Sequence, residues 1–155
     1  MTTKKEALIV DIDGTLANVD HRLRFIRDEA GVLKKDRDWH AFHKACIDDE
    51  PFTWCKDLVS LYKEKGHHIF LITGRGEEYL EQTLNWLKKH GVHYDDLYMR
   101  PLGDQREDHI IKKEIYTQKI EQSFDVSFVL EDRKSVVAMW RESGLTCLQC
   151  APGDF

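Results

Sequence analysis

The chain is expected to form a doubly wound α/β domain, with helices covering both faces of a parallel sheet. Two observations predict this. Apolar runs recur at Ala7-Leu8-Ile9-Val10, His68-Ile69-Phe70-Leu71-Ile72 and Val126-Ser127-Phe128-Val129-Leu130, and they lack the polar alternation of a half-exposed strand. Each run leads into a segment whose apolar residues fall at helical spacing, and alternating strands and helices are the pattern of a parallel sheet.

The first run stops abruptly at Asp11. Residues 20–51 follow, rich in charge and aromatics (Arg22, Arg24, Arg27, Trp39, Phe42) and without a strand signal. They are expected to form a small helical insertion over the mouth of a site. Trp54 to Lys65 reads as an amphipathic helix with Leu58, Leu61 and Tyr62 inward and Gly66 as its stop. After the second run, Thr73-Gly74-Arg75-Gly76 reads as a turn, and Glu77 to His90 as a helix with Tyr79, Leu80, Leu84 and Leu87 inward, ended by Gly91. Helices are also expected over Lys113 to Gln122 and Ser135 to Glu142. A weaker strand-like run, Leu145 to Cys150, closes the pattern.

With 155 residues and 41% hydrophobic content, the chain can bury one core, so residues 1–155 are expected to form a single domain. A charged fraction of 33% and a net charge of -5 describe a soluble, mildly acidic protein. That balance excludes a broad basic surface for non-specific nucleic-acid binding, and any such contact should be local. No apolar run approaches a membrane span, and Met1-Thr2-Thr3-Lys4-Lys5 leads into a strand without a signal-peptide core, so the cytoplasm is the expected compartment. Cys147-x-x-Cys150 lacks a second ligand pair at zinc spacing, and His40-x-x-His43 reads as one helix face. The four cysteines are expected to be reduced, structural thiols.

In a doubly wound sheet, ligands bind beyond the carboxyl ends of the strands. Asp11, Thr73 and Asp132 all sit at such ends. In Asp11-Ile12-Asp13-Gly14-Thr15 two carboxylates leave the first strand two residues apart. Alone, Asp-Gly-Thr also suits a plain turn. A carboxylate aimed at phosphorus can form an acyl phosphate, which makes Asp11 the candidate nucleophile. One nearby group can protonate the leaving oxygen and later deprotonate water, which suits Asp13. Two carboxylates facing a phosphate need a hard cation between them, so Mg2+ is expected on Asp11, Asp13 and Asp132, with Glu131 outside the direct ligands. Thr73, the backbone of Gly74 and the charge of Arg75 are candidate phosphate donors. A lysine is needed to balance transition-state charge, and Lys112 and Lys113 both qualify.

These stations, D-x-D-G-T, a strand-end Thr, a downstream Lys and a strand-end acidic pair, resemble the haloacid dehalogenase (HAD) phosphohydrolases. A narrower resemblance is to the 3'-phosphatase domain of phage polynucleotide kinase/phosphatases. It rests on Asp11 to Ala17, Thr73-Gly74-Arg75, Met99-Arg100, Ile110 to Ile115, Glu131-Asp132-Arg133, Val137 to Arg141 and Gly153-Asp154-Phe155. The resemblance implies a Rossmann-like, HAD-type fold, selects Lys112 over Lys113, and points to Arg22 and Arg75 as substrate contacts. Two departures stand out: the acidic pair begins with Glu131 where the family has Asp, and the insertion is longer than the family's. No kinase P-loop motif occurs. The implied activity is Mg2+-dependent removal of a 3'-terminal phosphate from a nucleic-acid end. A small-molecule phosphatase such as a nucleotidase, and a non-catalytic binding module on the same fold, are the alternatives. The oligomeric state is left open.

Overall fold

The computed structural model describes residues 3–153. In chain order its strands are β1 (Lys5–Val10), β2 (Ala17–Asn18), β3 (Glu50–Pro51), β4 (His68–Gly76), β5 (Asp96–Arg100), β6 (Phe124–Glu131) and β7 (Cys147–Gln149). The helices are α1 (Trp39–Lys44), α2 (Thr53–Glu64), α3 (Leu80–Lys89), α4 (Asp108–Lys119) and α5 (Lys134–Glu142). Five strands make one parallel sheet in the order β5-β4-β1-β6-β7.

The central strand β1 is apolar on both faces because both are covered. Leu8 and Val10 pack with Cys55 and Val59 of α2 and with Trp86 and Leu87 of α3. Ala7 and Ile9 face Tyr116 of α4 and Val136, Val137, Met139 and Trp140 on α5. Alternate residues of one strand thus serve two separate cores. The doubly wound expectation is met.

The register explains the convergence of polar residues. Val10 pairs with Leu71 on one side and with Leu130 on the other, so Asp11, the end of β4 and Glu131-Asp132 emerge together. The chain runs outward from β1 to β4 and β5, then crosses to β6 and β7, which places the strand-order reversal beside β1. A crevice opens there.

Several expectations are corrected. β5 is an edge strand of mixed polarity (Asp-Leu-Tyr-Met-Arg), so no apolar run announced it. β4 continues through Thr73 to Gly76 where a turn was expected, and α3 begins at Leu80 after a 3-10 turn at Glu77–Tyr79. On α2, Leu61 is exposed and Cys55 and Val59 face inward; on α3, Leu80 and Leu84 are exposed while Thr83, Trp86 and Leu87 are buried. α4 starts at Asp108, earlier than expected, so Lys112 sits one turn in. The insertion is largely helical, with a 3-10 segment Asp20–Phe25 and α1, but its ends are joined by the antiparallel pair β2-β3. It has its own small core of Val19, Ile26 and Phe42. Among the described residues no helix is long and apolar enough to cross a membrane, and all four cysteines are free. Asp154 and Phe155, part of the C-terminal resemblance, lie outside the described residues.

The phase of α3 is directly testable. Leu87→Ala should cost about 2–5 kcal/mol of unfolding free energy, and Leu84→Ala no more than about 0.5 kcal/mol. Urea titration of both variants reads this, and equal losses would refute the helix phase.

Candidate active site

Asp11 is buried at the tip of β1, and its two carboxylate oxygens have different partners. The Lys112 ammonium donates to Oδ1 at 2.8 Å, and the Thr15 hydroxyl lies 3.2 Å from Oδ2. Thr15 is brought back by the tight turn at Gly14, whose φ of +84° suits glycine. A Cβ at Gly14 would stand 2.2 Å from the Asp132 carboxylate. Glycine here is therefore required twice, by conformation and by the closeness of the acid.

Asp11, Glu131 and Asp132 are all buried, and one carboxylate oxygen from each lies within 4.8 Å of the others. Burial and the charge of Glu131 push Asp11 well above the usual carboxylate range, and the same two causes raise Asp132 to about 6. Burial alone would lower the Lys112 pKa, but Asp108, Asp11 and Glu131 hold it well above its ordinary value. The lysine is thus a fixed cation. One ammonium among three close carboxylates leaves negative charge uncompensated, and a set of hard oxygen donors suits a divalent cation such as Mg2+. Glu131 folds its longer arm back on its own strand end: Oε1 accepts from the Asp132 and Arg133 N–H groups and Oε2 from Lys112. Lys113 is exposed. Of the two candidate lysines, Lys112 is the one that reaches the acidic cluster.

Asp13 is placed differently from the expectation. Its carboxylate lies on two guanidiniums: Oδ1 accepts from Arg22 at 2.6 Å and from Arg75, and Oδ2 from Arg75 at 3.4 Å. Burial would raise its pKa, but Arg75 and Arg22 hold it far below the carboxylate range. Its side chain is drawn to the arginines and is not in the cluster of Asp11, Glu131 and Asp132, so the structure does not bring the Asp13 carboxylate to the other expected ligands.

Arg22 is also placed differently from the expectation. It is fully buried, with Nε and one terminal nitrogen on Asp49 at 2.9 and 2.7 Å, and the other on the Phe42 carbonyl at 3.1 Å. It stands behind Asp13 and is not among the residues that line the cavity, so in this placement it braces Asp13. Asp49 in turn accepts from Arg22 while its backbone carbonyl accepts from Trp86 Nε1 at 2.8 Å.

A cavity of about 590 Å³ opens over these groups, lined among others by Asp11, Asp13, Thr73, Gly74, Arg75 and Asp132. Thr73 is buried, and its Oγ1 accepts from the Arg75 N–H at 3.1 Å, which leaves its hydroxyl hydrogen to donate. Because β4 runs on to Gly76, the backbone here does not form the helix start that was expected. Arg75 is held at its far side by Thr83 Oγ1 at 2.9 Å. The sequence reading missed Asp108. It is buried at the start of α4 within 3.6 Å of Lys112, Arg100 and Arg133, and a Cβ at Gly74 would stand 2.2 Å from its carboxylate, which would have to shift. Its spacing of four from Lys112 was the available signal.

Residues 5–155 match the family model described as polynucleotide kinase PNKP phosphatase domain. A chain of Autographa californica nuclear polyhedrosis virus, inferred to be a bifunctional polynucleotide kinase/RNA ligase, is 26% identical over 141 residues, covering 88% of this chain and 18% of that one. A structure of a Pnkp1/Rnl/Hen1 complex contains a chain 34% identical, with a TM-score of 0.83, covering 100% of this chain and 49% of that one. A class C acid phosphatase from Bacillus anthracis is 17% identical with a TM-score of 0.70, covering 98% and 69%, a likeness of fold alone. The chain thus spans half or less of the first two relatives.

The Asp13–Arg22–Asp49 chain gives a stability prediction. Asp49→Ala removes two contacts of the buried Arg22 guanidinium and leaves it only Asp13 and the Phe42 carbonyl, and loss of one partner of a buried pair costs about 3–5 kcal/mol. Chemical denaturation measures it; a loss under about 1 kcal/mol, the scale of an exposed ion pair, would mean that Arg22 finds other partners.

Proposed function

We propose, since the chain belongs to the family of polynucleotide kinase PNKP phosphatase domains of the haloacid dehalogenase type, that this phosphatase removes the 3'-terminal phosphate from nucleic-acid ends through a phosphorylated Asp11. The observation that carries the chemistry is the seat of Asp11: an oxygen at the tip of a buried strand, held by Lys112 at 2.8 Å and open to the cavity. The choice of a polynucleotide end is supported by the family and by the kinase and ligase names of its relatives.

In the first step an Asp11 oxygen attacks phosphorus, the bond from phosphorus to the 3' oxygen breaks, and Asp13 supplies the proton that oxygen needs. Asp13 rests as a carboxylate because two arginines hold it so. A phosphate dianion that draws Arg75 toward its own oxygens relieves one of those charges and lets Asp13 carry a proton. In the second step water attacks phosphorus, Asp13 takes its proton, and Asp11 leaves as a free carboxylate. Lys112, charged throughout, offsets the charge spreading over the phosphoryl oxygens, with Thr73 and Arg75 as further donors. Asp11 and Asp132, with Glu131 beside them, would hold Mg2+, which when bound neutralises the carboxylates and polarises the phosphoryl group.

We place this work in an end-repair setting, alongside a ligase activity such as the one in the name of the viral relative. Free thiols suit a reducing compartment such as the cytoplasm. A 3'-phosphorylated oligonucleotide with Mg2+ should release orthophosphate; chelation and Asp11→Asn should each abolish release. Lys112→Met should lower kcat by about 10²–10³-fold, as loss of a single charge-stabilising donor does. Turnover confined to free nucleotides or sugar phosphates would replace this reading with a small-molecule phosphatase.

A further inference from the structure

The cavity is larger than a phosphoryl group requires and falls in the range of about 300–1,000 Å³ used for whole small ligands. Beyond the acids and Arg75 its lining contains an aromatic wall formed by Trp39, Phe42 and His43 from α1 and by Tyr79 before α3. Trp39 is the outermost ring, 40% exposed, and stands outside the insertion's own core of Val19, Ile26 and Phe42. What sets Trp39 apart from the chain's other exposed tryptophan, Trp54, is its place on the cavity wall.

Its orientation is fixed. The Trp39 ring stacks on His43 at 6.0 Å between centroids with planes 23° apart, and Phe42 supports it edge-on at 5.6 Å. His43 leans on Tyr79 at 5.2 Å. Phe42 rests in turn against the Arg22 guanidinium, 4.3 Å from the ring centroid, and that same guanidinium grips Asp13. A bracing chain therefore runs from the exposed indole to the catalytic end of the cavity. Burial holds the His43 pKa down to about 4, so the stack is neutral near pH 7. Arg100, Arg106 and Arg133 also line the cavity; they are paired with Asp108 and with Asp104 and Glu114, so a strand phosphate would share these guanidiniums with the acids that hold them. A rigid, neutral aromatic face beside guanidiniums is the combination that binds a single strand: bases stack, phosphates pair.

We infer that Trp39 is a stacking shelf for the terminal nucleobase of the 3'-phosphorylated strand, a subsite that selects a nucleotide end over a bare phosphate ester. This rests on the polynucleotide reading above and sharpens it by naming the group that fills the outer cavity.

The test measures binding in the Asp11→Asn protein with Mg2+, so that turnover does not intrude. Two probes are titrated: a short oligonucleotide 3'-phosphate, and the same oligonucleotide with an abasic terminal residue. Adding Trp39→Ala should weaken the base-bearing probe by roughly tenfold or more and the abasic probe by less than about twofold, while Trp39→Phe keeps most of the difference. Equal losses on both probes, no loss on either, or no binding of either overturns the shelf. Phosphate release by the unaltered protein judges the parent reading separately: base-dependent binding without release would sink the phosphatase substrate and leave the shelf standing.

Discussion

Three carboxylates buried at adjacent strand ends would drive one another apart, and the Lys112 ammonium is what lets them stay. It touches Asp11 and Glu131 at 2.8 Å each and lies near Asp108. Breaking this group by removing the lysine would leave buried charge with no compensation, a cost the fold could not absorb cheaply. The architecture around it follows. α4 must begin beside the strand ends to deliver Lys112, Gly14 must be bare to let the chain pass Asp132, and Glu131 must curl back to meet the ammonium. The compensation is still incomplete, and the remaining demand for positive charge suits the cluster to a divalent ion.

A second charge system ties the insertion to the sheet. Asp13 is shared by Arg22, from the insertion, and Arg75, from β4; Asp49, at the insertion's far end, holds Arg22, and Trp86 of α3 holds Asp49. The acid/base candidate is thus clamped between the two parts of the molecule that enclose the cavity. A shift of the insertion would change its electrostatic surroundings, so placement of the insertion and proton affinity of Asp13 are one physical variable.

The fold was legible wherever burial on both faces forces an unbroken apolar run, as in β1 and most of β4. It was illegible at β5, whose edge position tolerates Asp96 and Arg100. The helices were legible in part: Leu58, Tyr62 and Leu87 pack inward as expected, but α4 begins earlier than its apolar spacing suggests, and Leu61, Leu80 and Leu84 look like core residues at helical spacing, yet Val59, Thr83 and Trp86 turn inward. The strand-end acids and Thr73 could be read because their position in a parallel sheet is informative in itself. Arg22 could not, because its meaning depends on Asp49, 27 residues away. Lys112 could not be told from Lys113 by spacing alone, since α4 has no side-chain cap to mark its start. Side-chain direction over long sequence separations was the missing information.

The short β2-β3 pair, Asn18 with Glu50 and Ala17 with Pro51, has a consequence for how such a molecule diversifies. It brings the two ends of the insertion together at a single stem, so length gained or lost between them costs only slowly growing loop entropy and pulls on neither β1 nor α2. Arg22 and Asp49 lie just inside that stem, and the aromatic wall lies farther out. The pair beside the stem is thereby locked to the chemistry, and of the rings farther out Trp39, exposed and outside the insertion's core, is the one that can change without rebuilding what the domain does.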